Sequence, residues 1–151
     1  MRDDAAILQR IRSASGEGGQ RPARIRRIAD IIREAGGYRW VGIYEVAGEE
    51  IAVIAWSGPA EPAHPRFPVT QGLCGDAVRR GETVVAADVT KDPRYLTTFG
   101  STRSEIVVPI LDPRSQRAVG TVDVESERAS AFSDQDRAFL ERCAAELGRN
   151  L

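Results

Sequence analysis

Three carboxylates set into two apolar strands are the residues of this chain best suited to chemistry. Glu105 precedes the apolar run Ile106–Ile110, and Asp123 and Glu125 alternate with Val122 and Val124. Side chains two residues apart along a strand lie on one face, so Asp123 and Glu125 should point the same way. Three acids placed like this suggest a polar-lined pocket, whereas the alternative is that they are ordinary charges at strand ends.

The two cysteines are the next candidates for chemistry. Cys74 lies between Gly72 and Gly75 in a turn that opens a short helix, where the helix N-terminus would lower the pKa of the thiol and keep it reactive. The alternative for Cys74 is a small residue that packs at the start of the helix. Cys143 falls on the apolar stripe of the last helix and is predicted to be a core residue. With one histidine and no Cys-x-x-Cys pair, neither a structural zinc site nor a disulfide framework is indicated.

Composition narrows the class of protein. The chain has 151 residues, of which 42% are apolar and 28% charged, as expected for one soluble domain with a substantial core. A net charge of −1 gives no general attraction for nucleic acid or for an anionic membrane. The chain contains no apolar run near the ~20 residues that span a bilayer, and its start does not resemble a signal peptide, so we expect a cytoplasmic location.

Helical periodicity appears at both ends of the chain. The spacing of apolar residues predicts a helix over 4–14, a glycine-rich break, and a second helix from near Pro22 to Gly36. A last helix should begin after Ser133, with Asp136 as its capping-box partner. A short helix over 73–80, ended by Gly81, is expected in the middle of the chain.

The strands are predicted from alternating and β-branched segments. They are expected over residues 38–47, 51–56, 83–87, 105–111 and 118–125. Residues 57–68 are interpreted as a loop because they contain four prolines, and residues 88–100 as a long irregular connection. This order indicates an α+β fold with a central antiparallel sheet. The N- and C-terminal helices would cover one face, and the short helix and loops would cover a ligand cavity on the other.

Several segments together resemble a GAF domain, the small-ligand sensor module. They are similar in particular to the free methionine-R-sulfoxide reductase branch of that family, and the similarity runs from about Tyr38 to Leu147. The segments are Trp40–Tyr44, Gly72–Gly75, Ala87–Val89, Ser104–Pro109 and Asp123–Ser126. The resemblance implies a single GAF-like domain over 1–151, in which 1–20 form an N-terminal helix with a flexible linker and 21–151 form the core.

The resemblance also implies roles for individual side chains. Trp40 and Tyr44 would wall a bound ligand, although Trp40 could equally be a core residue. Glu105, Asp123 and Glu125 would hold the polar ends of the ligand, because a cationic amino group is stabilised by carboxylates. Glu125 stands where the family usually has aspartate. In the long loop, Tyr95 and Phe99 are candidates for a lid.

The cysteine pattern departs from that of the reductases. Their chemistry needs a thiolate that attacks the sulfoxide sulfur and a second thiol that resolves the product. The position of the nucleophile corresponds to about Thr97, and that of a second family cysteine corresponds to His64, which could also be a plain loop residue. Only Cys74 remains at a family cysteine position. A threonine hydroxyl is a far poorer nucleophile toward sulfur than a thiolate.

Three functions are therefore open. The favoured one is a ligand-binding GAF sensor or regulatory domain for a small polar metabolite such as an amino-acid derivative, without reductase chemistry. Its predicted ligand-binding residues are Trp40, Tyr44, Cys74, Thr97, Glu105, Asp123 and Glu125. The second is a divergent free methionine-R-sulfoxide reductase that uses Cys74 with an external thiol, and the third is a purely structural dimerisation module. We expect no metal or cofactor, no nucleic-acid or membrane partner, and a homodimer formed through the terminal helices.

Overall fold

Residues 2–151 form a six-stranded antiparallel sheet with four α-helices. The computed structural model describes residues 2–151; Met1, the first residue of the predicted domain, lies outside the described residues. The helices are α1 (Asp4–Ser15), α2 (Arg21–Gly36), α3 (Gly72–Arg80) and α4 (Asp134–Gly148). The strands are β1 (Trp40–Ala47), β2 (Glu50–Ser57), β3 (Arg66–Pro68), β4 (Val84–Ala86), β5 (Ser104–Leu111) and β6 (Ala118–Ser126), in the spatial order β3-β2-β1-β6-β5-β4. The α+β fold class is confirmed.

The two faces of the sheet carry separate cores. Helices α1, α2 and α4 pack on one face, where alternate strand residues such as Val41, Ile106 and Val124 are buried. The other face is covered by α3 and by the connections around it, and it buries Trp40, Tyr44 and the neighbouring apolar side chains. Strand residues alternate between the two cores because the side-chain period of a strand is two. Both faces are therefore buried, and the face that buries Trp40 and Tyr44 also carries the candidate site.

Local signals place the helix ends where the sequence indicates. In α2, Pro22 occupies the first turn and Gly37 ends the helix in the left-handed conformation, at φ 66°. Ser133 and Asp136 form the predicted capping box of α4, which satisfies two backbone amides at once. Among residues 2–151, every helix is too short or too polar to span a lipid bilayer.

Two segments interpreted as irregular contain short regular elements. Residues 66–68, within the predicted loop 57–68, form the edge strand β3, which pairs with β2. Proline is tolerated there because an edge strand needs hydrogen bonds on one side only. In the long connection before β5, residues Val89–Lys91 form one turn of 3-10 helix, and Asp88 caps it. The interpretation of 57–68 as entirely loop was therefore wrong at its C-terminal end.

Candidate functional site

The register of the central strands brings the three predicted acids together. On adjacent strands, Glu105 lies directly opposite Glu125, and Val107 lies opposite Asp123. Side chains that lie opposite each other on one face of an antiparallel pair are close neighbours. The next side chain on that face of the same strand comes from the residue two positions further along. Glu105, Asp123 and Glu125, hereafter the acid cluster, consequently offer carboxylate oxygens that all lie within 4.8 Å of one another.

The acid cluster is almost completely removed from solvent. Glu105 is 4% exposed, Asp123 2% and Glu125 1%, so these are not ordinary charges at strand ends. Asp123 Oδ1 and Glu125 Oε2 have no hydrogen-bond partner among residues 2–151. An unsatisfied buried polar atom costs about 1–3 kcal/mol, and more if it is charged. Two such atoms side by side call for a partner that donates hydrogen bonds or carries positive charge, such as an ordered water, an ion or a ligand.

Burial changes the protonation of all three acids. Loss of hydration raises the pKa of Asp123 to about 6, and the neighbouring Glu105 and Cys74 side chains partly offset the rise. Loss of hydration together with repulsion from Asp123 raises the pKa of Glu125 to about 8. The same two causes raise the pKa of Glu105 well above its usual value. Without a bound cation, the cluster therefore retains protons near neutral pH.

Strand β1 supplies the aromatic walls next to the acid cluster. Trp40 lies opposite Glu125, Gly42 opposite Asp123, and Tyr44 opposite Thr121. Gly42 has no side chain, and the Trp40 and Tyr44 rings close over it so tightly that a Cβ there would overlap both. The indole Nε1 of Trp40 donates to the Ala60 carbonyl at 3.0 Å, which fixes the ring. Both predicted wall residues thus lie on the face of the sheet that carries the acids.

Cys74 lies within the same site, where it is buried beside two of the acids. It is 4% exposed, and the Thr121 hydroxyl donates to its Sγ at 3.5 Å. Burial, followed by the nearby charges of Asp123 and Glu105, raises the pKa of the Cys74 thiol well above its usual value. The expectation that the start of α3 would lower this pKa was wrong, because desolvation and two adjacent carboxyls outweigh a single helix terminus.

The long connection before β5 closes the site from above. Tyr95 donates its hydroxyl to Glu125 Oε1 at 2.9 Å, and the Phe99 ring meets Trp40 edge-on, with 5.3 Å between ring centroids. The predicted lid aromatics therefore contact the acid cluster and its wall. Sequence reasoning missed the anchor of this loop, in which Arg94 pairs with Asp92 on its own segment and with Asp76 of α3.

The remaining cavity is very small. It encloses about 10 Å³ between Tyr44, Cys74, Glu105, Asp123 and the loop above them, which is about the room that one water molecule needs. His64 and Thr98 also line it. Thr97, the predicted position, is exposed and does not line the cavity. The loop brings the next residue, Thr98, to the site, a shift of one position that a loop without periodicity does not reveal.

Metal binding is also compatible with the arrangement of the acids. Carboxylate oxygens are the ligands that hard divalent cations prefer, and three of them converge here. His64 and Cys74 border the same cavity but are not part of this converging set. What the three residues share is a set of converging carboxyl groups in a buried site, and on ionisation these groups would stabilise an ammonium group as well as a metal ion.

Together, the antiparallel sheet, the helices on one face and the covered polar site on the other are the features of a GAF fold. A sequence model of the GAF domain matches residues 21–151. "GAF domain-containing protein A" of Dictyostelium discoideum is 30% identical over 127 residues, which cover 83% of this chain and 77% of that protein. The chain belongs to the GAF domain family.

Methionine sulfoxide reductases are among the relatives. The "free methionine-R-sulfoxide reductase" of Saccharomyces cerevisiae is 31% identical over 112 residues, which cover 74% of this chain and 62% of the yeast protein. The X-ray structure of the Neisseria meningitidis free methionine-R-sulfoxide reductase in complex with its substrate superposes with a TM-score of 0.85. That match is 31% identical and covers 99% of this chain and 91% of the Neisseria chain. The predicted resemblance to this branch is therefore confirmed.

Proposed function

We propose that this protein is a receptor for a small molecule that carries an ammonium group, a free amino acid or an oxidised derivative of one. The observation that carries the proposal is the pair of buried, unpartnered oxygens, Asp123 Oδ1 and Glu125 Oε2. An ammonium group has three N–H donors, one for each carboxyl group of the cluster, and its single positive charge can be balanced by one ionised carboxylate. The reductase relatives act by name on free methionine-R-sulfoxide, a compound of this class.

Binding requires the lid to move. A cavity of about 10 Å³ cannot hold an amino acid, so the loop that carries Tyr95 and Phe99 must shift outward, or its side chains must rotate. An ammonium group that entered the cluster would replace the hydroxyl of Tyr95 as a donor to Glu125. It would also favour the ionised acids, so that protons leave as the ligand binds.

Calorimetry and thermal unfolding test this proposal. Methionine, its R- and S-sulfoxides and a matched acid without the amino group are titrated near pH 7, in buffers that differ in ionisation enthalpy. We expect at least one amine to raise the midpoint of unfolding and to release protons, and the deaminated analogue to do neither. Glu105→Gln should weaken binding by about tenfold or more, since it removes a charge-assisted contact. Glu82→Gln, an exposed acid, is the matched control. An analogue without the amino group that binds equally well would refute the proposal.

Reductase activity through Cys74 is the second candidate function, and the similarity to the reductases favours it. In that reaction the thiolate attacks the sulfoxide sulfur, the sulfoxide oxygen leaves as water, and two thiols are oxidised to a disulfide as the thioether forms. The raised pKa of the Cys74 thiol and its burial oppose the first step. The second thiol, Cys143, is buried in the core on the opposite face of the sheet.

A turnover assay separates the two functions. Free methionine-R-sulfoxide is supplied with dithiothreitol, and methionine formation is followed for the native chain, Cys74→Ser and Cys143→Ser. We expect no turnover above the uncatalysed rate in any of the three. Turnover by the native chain and Cys143→Ser that is lost in Cys74→Ser would establish the reductase instead.

A further inference from the structure

A second pocket opens on the surface where β1 begins and β6 ends. It has a volume of about 490 Å³, which is in the usual range for small-molecule sites. Three arginines line it: Arg33 from the last turn of α2, Arg39 just before β1, and Arg128 after β6. We call it the arginine pocket. None of these residues belongs to the acid cluster, and the proposed function makes no use of them.

The arginines are only partly neutralised by neighbouring acids. Arg39 pairs with Glu127 at 3.2 Å. Arg33 donates Nε to the Arg39 carbonyl oxygen at 3.0 Å, which orients the guanidinium without cancelling its charge. In the described part of the chain, neither Arg33 nor Arg128 forms an ion pair with a carboxylate.

The other two acids that border this pocket, Asp136 and Glu125, form hydrogen bonds with residues other than the three arginines. Asp136 accepts the Tyr38 hydroxyl at 2.8 Å and both the amide and the hydroxyl of Ser133. Glu125, whose pKa is raised to about 8, belongs to the acid cluster and is hydrogen-bonded to Tyr95. The pocket therefore presents to solvent two guanidinium groups, those of Arg33 and Arg128, that have no carboxylate partner among residues 2–151, beside walls formed by Tyr38 and Phe132.

We propose that the arginine pocket binds the phosphate group of a small metabolite. Guanidinium groups donate paired N–H bonds whose geometry matches phosphate oxygens, and a phosphate carries enough charge to engage two of them. The volume of the pocket leaves room for the organic part of the molecule beside Tyr38 and Pro59. Phosphate binding here does not require a ligand in the acid cluster, so either proposal can fail without the other.

The location of the arginine pocket also suggests that a ligand bound there would affect the acid cluster. The arginine pocket adjoins a smaller cleft of about 240 Å³ that is lined by Trp40 and by Phe99 of the lid. The two share Arg39, Pro59, Glu125 and Ser126 as lining residues. A phosphate compound in the arginine pocket would therefore lie beside one edge of the acid cluster and its lid.

Titration with inorganic phosphate, followed by NMR of the ¹⁵N-labelled protein, tests the proposal. Acetate and chloride at matched ionic strength are the comparison anions. We expect phosphate to shift the amides of Gly36, Gly37, Ser126 and Arg128 in a saturable manner, and the comparison anions not to. Arg128 is exposed, so Arg128→Gln should keep the fold, and we expect it to weaken phosphate binding by about tenfold. Arg114→Gln makes the same charge change at the opposite end of β6 and should leave binding unaltered.

The contrary outcomes are equally distinct. Absence of saturable shifts in the native protein would overturn the proposal, and so would equal losses in Arg128→Gln and Arg114→Gln, which would indicate a diffuse effect of charge. Acetate that binds as tightly as phosphate would refute the phosphate assignment. Glycerol 3-phosphate should compete with inorganic phosphate for the pocket. If the protein instead cosediments with phosphatidic-acid vesicles and glycerol 3-phosphate does not displace it from them, the small-molecule assignment is contradicted.

Discussion

Replacing Asp123 by asparagine should stabilise the unliganded protein at neutral pH. In the folded state the pKa of Asp123 is raised to about 6 from 3.8, so ionising this residue is less favourable in the folded protein than in the unfolded chain. A rise of about two pKa units corresponds to about 3 kcal/mol. Because the pKa of this acid is higher in the folded protein, its contribution to the free energy of unfolding is fully present below about pH 4. That contribution is lost as the pH rises through about 6.

Asparagine cannot ionise, so it avoids this loss. At about pH 7.5, Asp123→Asn should be more stable than the native protein by up to about 3 kcal/mol, which corresponds to roughly 6–12 °C in the midpoint of thermal unfolding. The gain should shrink toward zero as the pH falls to about 4. The pKa values of Glu105 and Glu125 are raised as well, so the native protein should lose further stability as the pH rises.

Urea unfolding at several pH values between about 4 and 8 measures this effect. Asp123→Asn is compared with the native chain and with Glu82→Gln, an exposed carboxylate-to-amide change that should leave the pH profile unaltered. A native stability that is flat over this range, or a gain in Asp123→Asn that is the same at every pH, would refute the reasoning. Either result would mean that Asp123 ionises as easily in the folded protein as in the unfolded chain.

Four further outcomes are expected. Gly42→Ala should destabilise the protein by about 1–3 kcal/mol in urea, because its Cβ would overlap Trp40, and a midpoint within error of the native value would contradict this packing. Tyr95→Phe removes the donor to Glu125 and should cost about 1 kcal/mol, more above pH 8 than below it; an equal cost at all pH values would argue against the bond to the carboxylate. Ser133→Ala should cost about 1 kcal/mol through loss of the capping box, as judged by thermal unfolding. The homodimer through the terminal helices remains a prediction, and light scattering that gives the monomer mass of 16.5 kDa would contradict it.

Periodicity and local chemistry in the sequence determined most of the fold. Alternation by two assigned Asp123 and Glu125 to one face of β6, and the short connection between the predicted strands 105–111 and 118–125 made β5 and β6 neighbours. Because Glu105 of β5 pairs with Glu125 of β6, its side chain lies beside those of Asp123 and Glu125. Helix ends were equally local, since Gly37 and Ser133 act through bonds within a few residues. Such features are predictable because their causes lie close together along the chain.

Only the tertiary structure decided the chemical state of the site. The loop before β5 has no periodicity, so its contacts could not be predicted: Tyr95 reaches Glu125, thirty residues away, and Thr98 rather than Thr97 lines the cavity. Cys74 shows the same limit. Its position at a helix start predicted a lowered pKa, but the acids that raise this pKa come from distant strands. Protonation depends on the burial and charge that surround a group in space, and no local sequence pattern contains that information.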